Sequence, residues 1–506
     1  MAVKAPSGIV KIIFSSSLGT MIEWYDFYIF GMLAKTISVQ FFPEGNGTAA
    51  LLSTLAIFAA GFIVRPFGAL VFGRMGDIIG RKATFLITLV IMGLSTFLIG
   101  LVPGYKTIGL AAPLLVLLLR LVQGLALGGE YGGAATYVAE HAPAGKRGFY
   151  TSWIQTTATL GLFVALGIIM FVKANMSDAA FNSEWGGWRY PFWISILLVG
   201  VSVYIRQRMN ESPVFAKLKA EKKTSSNPLN ESFGKKQNFK MVLLALFGAV
   251  MGQGVIWYTG QFYAQSFLEN TVHLEFIQNR EIMLWAIGLA TPFFVVFGWL
   301  SDKIGRKWII LTGMLLGVIF YRPIFNSMLK AGDEKAWIMT TNEIVKESFT
   351  MTAAGNDSIR TASTTFRTPD GNVYTQKMVD TLYQSPGVIS QTQKITYTNK
   401  IVNRKLFFHY ILLVWVMIMF VTMVYGPIAA FLVEMFPVKI RYTSMSLPYH
   451  IGNGVFGGLV PFIATLLSAS FLSDPLVGLW YPIGIAALCF VIGAFYLRNK
   501  TDIISE

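Results

Sequence analysis

The sequence predicts an all-α membrane protein: twelve transmembrane helices in two pseudo-symmetric six-helix bundles, with an external polar insertion between spans nine and ten. Three observations carry this prediction. Charged residues make up only 13% of the 506-residue chain, against 54% hydrophobic, and the mean hydropathy is +0.56. A water-soluble surface needs about 25% charged residues, so a soluble multidomain enzyme is excluded. Apolar stretches long enough to cross a bilayer, each about 20 residues, recur along the chain. Finally, one loop motif occurs twice, once in each half.

Nine stretches lack Asp, Glu, Lys and Arg: 45–64, 83–105, 148–172, 190–205, 241–268, 282–301, 406–433, 442–473 and 475–497. Three more spans contain or border a charge. They are 12–35 with Glu23 and Asp26, 109–133 with Arg120 and Glu130, and 308–327 with Arg322. In hydrocarbon only a helix satisfies its own backbone, so each stretch is read as a helix. The first has acidic residues and no small-residue cleavage site, so it is expected to stay as a span rather than be removed as a signal. The single cysteine, Cys489, excludes an internal disulfide and suggests no metal cluster.

Basic residues orient the spans. Arg74, Arg81, Lys82, Lys146, Arg147, Lys303, Arg306, Lys307, Lys439 and Arg441 fall in short loops on one side, as does the 206–240 segment with nine more. The opposite loops hold little beyond Lys35, Lys106, Lys173 and Arg280. The positive-inside rule therefore puts both termini in the cytoplasm and explains the net charge of +15 without a nucleic-acid partner. The expected organisation is a bundle over 1–205, a mobile cytoplasmic linker over 206–240, a second bundle over 241–498, and a short tail over 499–506.

Gly73-x-x-x-Asp77-x-x-Gly80-Arg81-Lys82 recurs as Gly298-x-x-x-Asp302-x-x-Gly305-Arg306-Lys307, an offset of 225 residues. Glu140-x-x-Pro143-x-x-x-Arg147 recurs as Glu434-x-x-Pro437-x-x-x-Arg441, an offset of 294. The halves are thus parallel duplicates, as in transporters built from two six-helix bundles. The offsets differ by 69 residues, which measures an insertion within 326–404. That segment is polar, and 366–374 reads as a hairpin with Asp370-Gly371 at its turn. It is read either as a small β-containing cap or as a disordered loop.

Ionisable groups at membrane depth are costly and point to function. Glu23 and Asp26 lie three apart, on one helix face, about halfway along span one. Arg120 lies about ten residues into span four, roughly 15 Å from its outer end, and Gln123 extends its polar face. Arg120 is expected to pair with a substrate carboxylate, which its planar fork fits, while Asp26 or Glu23 carries a coupled proton. The alternative is a permanent Arg120–carboxylate pair that only holds the bundle. Gln253, Trp257, Tyr258 and Gln261 in span seven, with Tyr449 and Asn453 in span eleven, are expected to bind the rest of a polar substrate, or else to serve as packing aromatics. His450 in span eleven is read as a structural histidine. Gly73, Asp77, Gly80, Arg81, Glu140, Arg147, Asp302, Arg306, Glu434 and Arg441 form a candidate cytoplasmic gate. In it, carboxylates accept from helix N-termini and Arg81 pairs with Glu140. The glycines around Glu130 read as a close helix contact rather than a phosphate loop.

At these residues the chain resembles the major facilitator superfamily and, more narrowly, the metabolite:proton symporter family. The matching pieces are Glu23-Trp24-Tyr25-Asp26-Phe27, Arg65-Pro66-x-Gly68 and Arg120-x-x-Gln123-Gly124 through Gly128-Gly129-Glu130. Gly187-Trp188-Arg189-x-Pro191-Phe192, Glu211-Ser212-Pro213-x-Phe215 and Glu434-x-Phe436-Pro437-x-x-x-Arg441-Tyr442-Thr443 continue the match. The resemblance covers the chain outside the insertion. It implies alternating access by two rocking bundles and proton-coupled uptake across a bacterial inner membrane. Substrates in such a family are small organic acids such as 2-oxoglutarate, citrate and shikimate, or zwitterions such as proline and betaine. The short segment 498–506 argues against regulation by a long C-terminal coiled coil.

The expected activity is secondary active import of a small organic acid or zwitterion by proton symport. No cofactor is expected beyond the proton gradient. The expected partners are the substrate and the lipid bilayer, and the expected state is a monomer. A facilitator or sugar-type porter is the nearest alternative; a non-transporting receptor using the insertion is one from another class. An enzyme is not expected, since no nucleophile–base pair, metal cluster or nucleotide loop is present.

Overall fold

The computed structural model describes residues 9–43, 47–143, 145–207, 211–340, 343–354, 357–382, 394–471 and 473–499. Span one is the helix Ile9–Met32. Eleven further helical spans among the described residues are long and apolar enough to cross a membrane. Spans two to six are Ala49–Ile78, Lys82–Ile99, Ala111–His141, Arg147–Ala174 and Gly187–Gln207. Spans seven to twelve are Lys236–Asn270, Phe276–Ile304, Arg306–Ile338, Arg404–Met435, Val438–Ser470 and Val477–Tyr496. Every sequence-predicted span is present, and large apolar side chains such as Phe67, Leu114, Leu197 and Phe495 point outward, as a lipid-facing surface requires.

Several spans are longer than their charge-free cores. Span two is two helices, Gly47–Ile63 and Arg65–Ile78, that break at Val64, where Pro66 withholds an amide donor. Arg65 therefore sits mid-span rather than at a loop. Span nine continues as a helix through Pro323 to Ala331, beyond the 326 boundary expected for the insertion. Spans seven and eleven contain π-helical turns at Leu246–Val250, Thr259–Tyr263 and Ile451–Gly457. Such turns gather at functional sites and offset the helical face. A side chain at Gly254 would meet the Asn453 backbone at 3.0 Å, so glycine lets these two spans close on one another.

The chain forms two compact units. One comprises the chain up to Gly260, Gly288–Ile319 and the chain from Met417; the other comprises Gln261–Ile287 and Phe320–Val416. The second unit holds the insertion, which is an ordered antiparallel sheet of order β1-β2-β3-β4 rather than a disordered loop. Its strands are β1 (Glu343–Ala354), β2 (Asp357–Arg367), β3 (Val373–Leu382) and β4 (Lys394–Ile401). Phe366 pairs with Tyr374 across the predicted hairpin, and their rings stack at 5.4 Å. Gly371 takes φ +86°, a conformation that glycine reaches without strain. The buried Lys400 ammonium donates to the Gly332 carbonyl at 2.7 Å and Glu334 at 2.6 Å, which ties β4 to the end of span nine.

The 206–240 segment, expected to be a mobile connector, carries local structure over its described residues 206–207 and 211–240. It contains the helix Pro213–Ala220 and a π-helical turn at Asn230–Gly234. Ser232 bonds Ser444 at 2.8 Å, and Lys439 pairs with Glu231 at 2.7 Å. Burial opposes the charge on Glu231, but the hydrogen bonds from Lys439 and Ser225 outweigh it and hold the carboxyl below its ordinary value. Periodicity along the chain does not reveal these partners on span eleven.

Candidate functional site

Two constellations stand out in the first unit: a buried cation–aromatic centre and a seam of loop motifs. In the centre, span one supplies Trp24, Asp26, Phe27, Tyr28 and Phe30. Arg120, from span four, stacks its guanidinium over Phe30 at 4.4 Å, Phe27 at 4.9 Å and Phe58 at 5.1 Å. Its Nη1 donates to the Gln123 side chain, while Nε and Nη2 are buried without a partner. Gln123 in turn donates to Thr96 at 2.8 Å and to the Asp26 carbonyl at 3.3 Å. Arg120 forms no ion pair among the described residues.

A second guanidinium, missed as a site residue by sequence, lies alongside. Arg65 is only 3% exposed and stacks over Phe62 at 4.2 Å and Phe27 at 4.6 Å. Its Nε and Nη2 are also buried without a hydrogen-bond partner. Arg65 and Arg120 thus share the Phe27 ring. The signal for Arg65 was present in its motif, but the charge-free run 45–64 ends just before it. Asp26 is fully buried, and neither carboxyl oxygen has a hydrogen-bond partner.

Aromatic rings from the second half complete the centre. Trp257 lies 5.3 Å from Trp24, Tyr258 stands edge-on to Phe62 at 5.2 Å, and Tyr449 stacks on Tyr131 at 3.5 Å. Tyr425 and Tyr449 join hydroxyls at 2.9 Å. Gln253 and Asn453 spend their amides on each other in a reciprocal pair, at 3.0 and 2.8 Å. His450 is buried with neither ring nitrogen hydrogen-bonded. Gln261 lies within the π-helical turn Thr259–Tyr263 and belongs to the second unit, and both its amide atoms are buried without a hydrogen-bond partner. Simple i,i+4 spacing from Trp257 therefore does not place it.

Glu23 and Asp26 share a sequence face but not an environment. Glu23 joins Glu130 and Arg206 in a buried cluster: Arg206 Nη2 lies 3.0 Å from Glu23 and 2.5 Å from Glu130. Sequence reasoning treated Arg206 as the start of the linker, because the charge-free run ends just before it; the helix runs on to Gln207.

The seam uses the duplicated motifs crosswise. Asp77 accepts from the Thr443 amide at 2.9 Å and hydroxyl at 2.7 Å, at the N-terminus of the helix Arg441–His450. Asp302 accepts from the Gly148 and Phe149 amides, both at 2.8 Å, at the N-terminus of span five. Each motif's carboxylate thus caps a helix of the opposite half, where partial positive charge stabilises it. Arg306 grips Glu434 bidentately, at 2.6 Å on both oxygens, and touches Asp302 at 3.1 Å. Arg441 reaches across to Glu140 at 3.5 Å, and Glu140 also accepts from the Ser212 hydroxyl. The Arg81 side chain lies outside the described residues, and the Arg147 Nε is buried without a partner. Gly80 and Gly305 take φ +122° and +92° at matching motif positions, a left-handed geometry that disfavours any side chain. Gly73 and Gly298 each face the opposite half, against Thr443 and Ser152.

A family profile described as Sugar (and other) transporter matches residues 12–240. The inner membrane metabolite transport protein YhjE of Escherichia coli K12 is 32% identical over 466 residues, covering 91% of this chain and 88% of that protein. The chain belongs to the major facilitator superfamily. Within it, the alpha-ketoglutarate permease of E. coli K12 is 30% identical, covering 96% of this chain and 93% of the permease. The proline/betaine transporter of the same organism is 34% identical, over 62% of this chain and 64% of its own length. The fold also matches the proton:xylose symporter XylE, with a TM-score of 0.63 at 16% identity, covering 99% and 98% of the two chains. The superfamily's twelve-helix architecture therefore holds for this chain, and these relatives are transporters rather than enzymes.

Proposed function

We propose that this chain imports a small organic acid together with protons across a bacterial inner membrane. The observation that carries the reading is the pair of buried guanidiniums, Arg65 and Arg120, each with open N–H donors and neither paired with a carboxylate among the described residues. Unpaired buried cations are costly, and a carboxylate ligand satisfies both their charge and their fork geometry. Two cations favour an acid over a zwitterion, although the aromatic rings beside Asp26 would suit the cationic end of the latter. The alpha-ketoglutarate permease among the relatives supports the acid reading.

Asp26 is the first candidate for the proton carrier, being a buried carboxyl whose oxygens lack hydrogen-bond partners. The cycle is alternating access between the halves 1–205 and 241–498. The crosswise caps of Asp77 and Asp302 support the loop motifs as the cytoplasmic gate, and the basic loops support cytoplasmic termini with the sheet outside. The transporter works as a monomer, on the proton gradient alone.

Proteoliposomes containing a trapped pH dye test the reading. Adding organic acids, proline or betaine separately should give saturable proton entry with an acid. Entry with proline or betaine only would replace the acid by a zwitterion, and silence across the panel with folded protein would refute symport of these classes. Asp26→Asn should uncouple proton entry from uptake; unaltered proton flux would place the carrier elsewhere.

A further inference from the structure

The cluster of Glu23, Glu130 and Arg206 has a charge balance of its own. The three side chains come from spans one, four and six, and none is more than 3% exposed. Arg206 Nη2 touches one oxygen of each acid, at 3.0 and 2.5 Å, so those two oxygens lie within 5.5 Å of each other. Arg206 Nη1 adds a bond to Glu130 Oε2 at 3.3 Å, and the Thr88 hydroxyl of span three donates to the same oxygen at 3.2 Å. Glu23 receives a single bond from Arg206, and its Oε2 is buried without a partner. Span five packs against spans one and four and carries no acid, lysine, arginine or histidine over 148–172. Two carboxylates thus face one guanidinium, with no other cation in the cluster among the described residues.

With both acids ionised the cluster would bear a net negative charge in a dry interior, where an uncompensated charge costs several kcal/mol. Two adjacent carboxyls relieve this by retaining one proton between them. Glu130, with two bonds from Arg206 and one from Thr88, is held as the carboxylate. Glu23, with its bare oxygen, is the acid.

We propose that Glu23 and Glu130 share one exchangeable proton over Arg206, which makes this triad a proton-binding site separate from Asp26. The step is simple: a proton adds to the Glu23 carboxylate, forming an O–H bond, and leaves by the reverse path, with no redox change. Arg206 sits in the last turn of span six, so a shift of that helix against span one would trade the Arg206–Glu23 contact for a change in protonation. As a part of the transport cycle, the site rests on the symport reading above.

Infrared difference spectroscopy on the lipid-reconstituted full chain tests it, using the C=O stretch of protonated carboxylic acids and its shift in D2O. Glu130→Gln leaves a neutral Glu23–Arg206 pair that needs no proton. The expected result is loss of a protonated-carboxyl band, even though the residue replaced is the ionised member. Glu23→Gln should lose the same band, which gives a second variant should one fail to fold. Retention of the full band in Glu130→Gln would overturn the shared proton. Transport separates the two readings: wild-type protein that exchanges no acid in counterflow would refute the symport reading while the infrared result still decides the triad. If counterflow is present, Glu130→Gln should lose pH-driven accumulation above equilibrium. Accumulation equal to wild type would remove the triad from coupling.

Discussion

At the residue scale, the centre is organised around Phe27, whose ring lies within 5 Å of both the Arg65 and Arg120 guanidinium carbons. Stacking on aromatic faces lets a cation be buried without committing its N–H donors, which then remain for a ligand. Lysine cannot reproduce this, since it carries a point charge without a fork. Arg120→Lys and Arg65→Lys should each raise KM for an acid by roughly 10–100-fold, corresponding to about 1.5–3 kcal/mol for a charged hydrogen bond. Initial-rate uptake measures this, with the thermal unfolding temperature checking that the fold is kept; unchanged KM in both would remove the guanidiniums from the site. Sequence made Arg120 visible because it interrupts an apolar run. It left Arg65 and Arg206 less visible, because both border a run and read as loop residues.

At the element scale, the seam depends on carboxylates set at helix starts of the opposite half. Asp302 satisfies two amides of span five that have no partner within their own helix. Asp302→Ala should weaken that contact by about 1–2 kcal/mol, within the range for capping residues. Hydrogen–deuterium exchange at Gly148 and Phe149 should then quicken by roughly tenfold, because a 1.4 kcal/mol loss is one decade in the opening equilibrium. Exchange as slow as in the unaltered chain would show that the cap does not hold the seam. The duplicated motif was legible in sequence, and so was the chemistry of its aspartates. That each motif serves the other half was not, because a loop's sequence does not say which helix start it meets.

At the scale of the whole molecule, the sheet is an ordered addition seated in the second unit, with Lys400 securing its last strand and Gln278 bonding Val402 just after it. The buried cation–aromatic centre and the seam lie in the first unit, and Gln261 belongs to the second. Replacing residues 340–399 by a flexible linker should therefore leave saturable uptake intact. Uptake abolished in a folded variant would give the sheet a part in transport and revive the receptor reading. The number of spans, the duplication and the mid-helix polar residues were all determined by the sequence itself, since hydrocarbon admits few charges and only self-satisfied backbone. The tertiary structure alone decided which buried charges meet. Glu23 and Asp26 lie one helical turn apart, yet Glu23 joins Arg206 and Glu130 while Asp26 lies against the Arg120 centre. Periodicity along a helix sets the face on which a side chain lies; the approach of a neighbouring helix sets what it touches.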